Sequence, residues 1–361
     1  MDTPARLVLV QTADWDPLSR PGGFEPFVTA LAHGLASSSD VLVVGPGIDR
    51  PVYRNSGELF SRQTLDPHSL RRTLASLSEQ GWFIAVHNLV GALVEVTGPM
   101  SLMLHAPPNM ATGLPGRLLN FESPIDLDWS ETLTEIKRHG SIAVCSAYVA
   151  EQSAKVFTTS KFDVVHPPVH PLFGSVLRQD QKHDVLWVGR TVKRKGLDWL
   201  LENKEHWTFS WRWSGDEYFG DDSVSEMAKS SPSVPAGRGV IEMASLFSKT
   251  RVVLCTYLDE GFGMVVAEAA ASGCRVVAFG QGGVLESGRA AHVTLVPPGD
   301  VVAFNDAVCV ALEAGPVSQE ERAQAASLYS PENAVLAYRE HLRRRLGAFD
   351  LQTLPHSAPT P

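Results

Sequence analysis

Four cysteines in 361 residues, with no Cys-x-x-Cys pair among them, are too few and too scattered for a disulfide framework or a zinc site. Cys145, Cys255 and Cys274 lie in or beside apolar stretches, so they read as buried thiols of a reducing compartment. No apolar run approaches the ~18 residues needed to cross a bilayer, and RLVLVQTADW lacks the basic start and long apolar core of a signal peptide. A cytoplasmic protein is expected. Basic charge is also short. The 31 Lys and Arg residues against 40 Asp and Glu give a formal net charge of −9, which argues against a general binder of nucleic acid or anionic membrane. What the chain does have is apolar sequence, 44% against 20% charged, over a length that suits two α/β domains.

Short β-branched runs alternate with amphipathic segments from end to end. In the first half, Arg6–Val10, Val41–Val44, Trp82–Asn88, Met100–His105, Ile142–Cys145 and Phe162–Val165 read as buried strands. Phe24–Ala36, Pro67–Glu79, a segment near Ser130–Arg138 and a segment N-capped by Ser146 read as helices. HPPVHPLF, residues 166–173, and the polar run 178–184 then interrupt the rhythm, and tandem prolines stiffen a linker. The pattern restarts with strands at 185–188, 208–213, a short one near Val240, then 252–255, 276–279 and 292–296. Helices are expected at 197–202, 224–230, 243–248, 264–272, 301–312, 320–328 and 331–346. Such alternation implies an α/β fold with parallel sheets covered on both faces.

The most informative stretch is LDEGFGMVVAEAAASGCR, residues 258–275. A buried strand leads into a Gly-Phe-Gly turn and an Ala-rich helix, and the bare amides of a helix start attract a phosphate. Gly261 and Gly263 let a ligand approach the backbone closely. Glu268 carries the wrong sign for a phosphate; it is suited to accept from neutral hydroxyls such as a ribose diol beside it. Arg190 and Lys195, after the strand 185–188, fit a diphosphate, although a solvated charge run reads the same on composition alone. Lys193 and Arg194 are assigned to the surface. His87 and His105 end neighbouring strands and would meet at the carboxyl edge of a sheet. Strand-end histidines are also common as structural hydrogen bonders.

Glu260-Gly-Phe-Gly followed by Glu268, together with VLWVGRTVKRKGLDWLLE (185–202) and GGVLESG (282–288), resembles the signature of retaining glycosyltransferases of the GT-B type, family 4-like. The resemblance implies two Rossmann-like domains facing across a cleft: an acceptor-binding domain at 1–172 and a nucleotide-sugar domain at 173–334. It also implies a helix at 335–348 crossing back to the first domain, with 349–361 as a disordered tail. In that scheme Arg190 and Lys195 hold the leaving diphosphate and His105 contacts the donor sugar. Glu260 and the Gly261-Phe262-Gly263 backbone meet the sugar hydroxyls. The amides of Met264 and Val265 meet the phosphates, Glu268 takes the ribose and Ile241 borders the base. Gly22 and Gly23 would face the diphosphate and acceptor, with Asp14, Trp15 and Arg20 as candidates on the acceptor side and His87 shaping the cleft. Cys255-Thr256-Tyr257 departs from the usual Pro-Ser, and Pro167-Pro168 from the usual Asn-Gly hinge.

The function implied is transfer of a sugar from a nucleotide-sugar donor, a UDP-sugar by preference, to a small soluble acceptor such as a natural-product scaffold, with retention. Asp14/Asp16 and Asp126/Asp128 have Asp-x-Asp spacing, but one pair sits in a tryptophan-containing loop and the other in a polar surface stretch. No metal or other cofactor is expected. Competing readings are a nucleotide-sugar epimerase or phosphorylase of the same fold, and a non-catalytic nucleotide-sugar-binding partner.

Overall fold

The computed structural model describes residues 5–10, 25–36, 39–46, 61–65, 67–87, 96–107, 140–157, 161–179, 183–215, 222–229, 231–235 and 239–346. Two all-parallel sheets organise them. The first is built from β1 (Ala5–Val10), β2 (Ser39–Pro46), β3 (Ser61–Leu65), β4 (Phe83–His87), β5 (Met100–Leu104), β6 (Gly140–Val144) and β7 (Asp163–Val164), in the order β3-β2-β1-β4-β5-β6-β7. The second is built from β8 (His183–Val188), β9 (Arg212–Ser214), β10 (Thr250–Cys255), β11 (Arg275–Phe279) and β12 (Val293–Val296), in the order β12-β11-β10-β8-β9.

Every residue of β4 and β5 is buried, as expected of strands covered on both faces, and Leu9 lies beside Val43 in a register that keeps the branched side chains in contact. Each sheet reverses its strand order beside a central strand, β1/β4 in the first and β10/β8 in the second. In open α/β sheets ligands bind off the carboxyl ends of strands at such switch points. The chain returns to its first half at the end. In the helix Pro331–Leu346, Arg339 donates to the Gly34 carbonyl. His341 reaches Ser101 Oγ at 2.7 Å, Ser141 Oγ at 3.0 Å and Asp163 Oδ2 at 2.8 Å.

Several local expectations change. The strand expected near Val240 is the first turn of a helix, Val240–Ser248: a Val-Ile pair favours a strand locally, but buried Val240, Ala244 and Phe247 follow helical spacing. The strand expected over 208–213 contracts to Arg212–Ser214, because Trp207 and Phe209 turn into an aromatic cluster with Trp199 and Phe304. β3 was not foreseen. All four cysteines are free, three of them buried, and burial pushes the Cys274 thiol up to about 11. Among the described residues no helix is long and apolar enough to cross a membrane.

Candidate functional site

The carboxyl ends of β8 and β10 deliver the charged part of the site. β8 ends at Val188, and after Gly189 and Arg190 the chain makes a short 3-10 turn over Lys193–Lys195. β10 ends at Cys255, and Thr256, Tyr257 and Asp259-Glu260 lead to the helix Met264–Ala271. Thr256 ties the two segments together. Its hydroxyl lies within hydrogen-bond distance of the Gly196 carbonyl (2.9 Å) and the Lys195 carbonyl (3.1 Å), and it accepts from Trp187 Nε1 at 3.0 Å.

This brings Lys195 Nζ into direct contact with Glu260 Oε2, with Arg194 Nη1 3.7 Å from the same oxygen. Lys195 is buried, and its ammonium stands 3.8 Å above the centre of the Tyr257 ring. Burial depresses the Lys195 ammonium, and the adjacent Arg194 and Arg190 charges add to that; the Glu260 carboxylate opposes them. Burial likewise disfavours the charged form of Glu260, but Lys195, Arg194 and Arg190 together outweigh it and hold its carboxyl below the usual range. Each partner thus favours the charged form of the other. Arg194, assigned to the surface by sequence, is a third member of the cluster: the turn folds its guanidinium back over Glu260 while Lys193 stays exposed. Arg190 stands exposed beside the cluster.

The helix Met264–Ala271 starts at Gly263, whose φ of 92° is accessible to glycine at little cost, and no side chain caps it. The Met264 and Val265 amides precede the first intrahelical bonds, which run from Val266 and Ala267 to the Gly263 carbonyl. An uncapped helix start beside a buried cation is an anion site in waiting. Glu268, on the same helix, is partly exposed yet closely surrounded, and burial alone raises its carboxyl to about 7. Among the described residues no side chain bonds to that carboxylate, so its acceptor capacity is open. Ile241, the candidate for the base, is exposed at the start of its helix, while the Phe262 ring is buried against Tyr329 (4.9 Å between centres) and His166 (5.4 Å), away from solvent.

From the first sheet come the two histidines. His87 Nδ1 and His105 Nε2 are 2.9 Å apart, and the rings stack at 5.2 Å with Phe27 edge-on to both. They bury against each other instead of lining an open crevice. Burial lowers His87 to about 3 and holds His105 well below its ordinary value, with the His87 charge adding to the latter. The His105 backbone meets the second half of the chain directly: a side chain at Gly261 would lie 2.4 Å from the His105 carbonyl oxygen, so only glycine fits.

Sequence reasoning missed the contacts that join the halves here. Glu286, within the quoted GGVLESG, accepts from the Ala147 amide (2.8 Å) at the start of the helix Ala147–Phe157 and lies 2.8 Å from His166 Nε2. Tyr148 donates to Asp259 Oδ1 at 2.7 Å, and Ser146, besides capping its own helix through the Val149 amide, donates to the Gly261 carbonyl. Burial is the largest influence on Glu286, but His166 and the helix amides outweigh it and lower the carboxyl. A glutamate three residues after a double glycine, preceded by Val284 and Leu285, was the only signal in the sequence. Asp14, Trp15, Arg20, Gly22 and Gly23, like Asp16, Asp126, Asp128 and the tail after Phe349, lie outside the described residues. Among the described residues no three His, Cys, Asp or Glu side chains gather in a way that could hold a metal ion.

Residues 182–314 match the family described as Glycosyl transferases group 1. The comparison with curated proteins gave no match. Among solved structures, a sucrose-phosphate synthase from Thermosynechococcus elongatus is similar with a TM-score of 0.70 at 16% identity, covering 95% of this chain and 100% of that one. A UDP-forming α,α-trehalose-phosphate synthase from Burkholderia xenovorans, in complex with glucose-6-phosphate, gives 0.66 at 14%, covering 97% and 100%. Anabaena HepE, in complex with UDP and glucose, gives 0.65 at 16%, covering 94% and 99%. At such identities the likeness carries the fold alone. The chain thus has the GT-B fold of two parallel α/β halves, and the match to glycosyl transferases group 1 falls on the second of them.

Proposed function

We propose that the protein is a retaining glycosyltransferase that moves a sugar from a nucleotide donor, a UDP-sugar by preference, to a small soluble acceptor. The observation that carries this reading is the convergence of buried Lys195, exposed Arg190 and an uncapped helix start at Met264, with the open carboxylate of Glu268 on the same helix. Cations and amides suit a diphosphate, and a carboxyl with no other side-chain partner suits a ribose diol. UDP in the HepE complex and the UDP-forming reaction of the trehalose-phosphate synthase support the choice of nucleotide.

In the transfer, the bond between the anomeric carbon and the β-phosphate oxygen breaks and its electron pair leaves with the diphosphate. Lys195, Arg190 and the Met264 and Val265 amides stand where that charge develops. The acceptor hydroxyl forms the new bond on the same face of the sugar, and its proton passes to the departing phosphate oxygen. Glu260 is unsuited to the part of a covalent nucleophile, because its carboxylate is already held by Lys195 and Arg194. Its remaining lone pairs face sugar hydroxyls. His105, held neutral by burial against His87, adds no charge on the sugar side.

Incubation with UDP-, GDP- and ADP-sugars and a panel of small hydroxylated acceptors, followed by release of nucleoside diphosphate and by proton NMR of the product anomer, tests the reading. Release of UDP with the donor's anomeric configuration preserved is expected. An inverted product would overturn the retaining assignment, and no release from any donor would overturn the transferase.

A further inference from the structure

Tyr257 is a buried residue two positions beyond the end of β10, at the place where the chain departs from the glycosyltransferase pattern. Its hydroxyl donates to the Val188 carbonyl at the end of β8, the strand that leads into Gly189 and Arg190. The ring is thereby pinned between the two strands that supply the donor site, and its face lies beneath the Lys195 ammonium at 3.8 Å. The opposite face of the problem is electrostatic. Lys195 is buried and has Arg194 and Arg190 as like-charged neighbours; Glu260 is the counter-charge that offsets them. In the transfer described above, Glu260 turns its free lone pairs to sugar hydroxyls and the ammonium must reach a diphosphate. A ring face attracts a cation at little desolvation cost, keeps no lone pair that competes with phosphate, and cannot move while its hydroxyl is tied to β8.

We propose that Tyr257 is a positioning residue for the donor: its ring face holds the Lys195 ammonium in place toward the diphosphate, and its hydroxyl bond to Val188 fixes the ring. The inference rests on the proposed function, and its test separates the two. Calorimetry with UDP and with uridine gives, for each variant, the preference for the diphosphate over the bare nucleoside. Uridine affinity reports the rest of the site, so a general loss of structure lowers both.

Wild type is expected to prefer UDP by about 100-fold or more. Tyr257→Phe, which keeps the ring face but loses the bond to Val188, should lower that preference about threefold, and Tyr257→Leu should reduce it about tenfold, with uridine affinity unchanged in both. On a Lys195→Met background, Tyr257→Leu should change the preference no further. Should Tyr257→Leu fail to fold, 4-fluoro- and 3,4,5-trifluorophenylalanine at the same position keep the shape while weakening the ring quadrupole, and the preference should fall with each fluorine added. A preference untouched by Tyr257→Leu or by fluorination, or lowered as much by Tyr257→Phe as by Tyr257→Leu, would overturn the proposal. A wild type that binds no UDP overturns the proposed function and this inference with it, whereas UDP binding with an insensitive preference overturns the inference alone.

Discussion

Two pairs of ionisable side chains face the meeting of the halves, buried His87 with His105 from the first sheet and buried Lys195 with half-buried Glu260 from the second. Both pairs are in hydrogen-bond contact, yet the partners act on each other in opposite ways. Two bases cannot compensate one another: a proton on either ring would be a charge beside a neutral partner, so burial decides and both stay neutral. An acid beside a base offsets the same burial with attraction, so Lys195 and Glu260 each favour the other's charged form. Glu268 marks the limit between them. With no counter-charge its carboxyl rises to about 7. The sign of the neighbour, more than the depth of burial, distinguishes the two pairs, and the proposed function gives the first to the sugar and the second to the diphosphate.

Four substitutions break or sharpen that contrast. Lys195→Met should cause the largest loss, about 1,000-fold in kcat/KM for donor turnover, because it removes a fixed cation where leaving-group charge develops. It also leaves half-buried Glu260 with only the more distant Arg194 and Arg190 opposite, so the melting temperature should fall as well. Glu260→Gln keeps the shape and removes the compensation. Donor turnover should drop about 100-fold, with an alkaline limb that moves to lower pH as Lys195 loses its charge more easily. Equal pH profiles for the variant and wild type would show that Glu260 is not what keeps Lys195 charged.

On the neutral side, His87→Phe preserves the stacked shape and deletes the bond to His105 Nε2. A fall of about tenfold in kcat at unchanged donor KM is expected if that bond fixes the ring. The substitution should also reduce acid sensitivity. A histidine lowered to about 3 in the folded state lets the unfolded chain bind the extra proton, so wild type loses stability as pH falls from about 6.5 toward 3, and the variant loses less. The smallest effect belongs to Glu268→Gln. A carboxyl raised to about 7 binds its proton more tightly in the folded state, so stability declines as pH rises from about 4.5 to 7. The variant, lacking this titration, should gain on wild type across that window by on the order of 1–2 kcal/mol, discounted because the group is partly exposed. Thermal melts of the two proteins at pH 5 and pH 8 check it, and a constant difference between them would contradict the assignment.

Much of this was legible beforehand, for physical reasons that differ from place to place. The helices Pro67–Glu79, Leu197–Glu202 and Pro331–Leu346 have the boundaries read from sequence, because proline starts and glycine or polar flanks are local signals. The Gly-Phe-Gly turn and the uncapped helix after it were readable because strand, turn and helix follow one another directly in sequence. β3 was not, since SRQTL carries one large apolar residue and sits at a sheet edge, where half the usual hydrophobic pattern suffices. Tyr257 beneath Lys195, Arg194 over Glu260 and Glu286 on the helix at Ala147 join segments 62, 66 and 139 residues apart. No periodicity encodes such meetings; they follow only from strand order.

The central claim is that Lys195 and the first amides of the helix Met264–Ala271 together receive a diphosphate. A crystal structure of the protein with UDP tests it most directly. The account predicts phosphate oxygens within hydrogen-bond distance of Lys195 Nζ and of the Met264 and Val265 amides, with the ribose hydroxyls on Glu268. A diphosphate bound elsewhere, with Lys195 still closed on Glu260 and those amides facing only water, would contradict it.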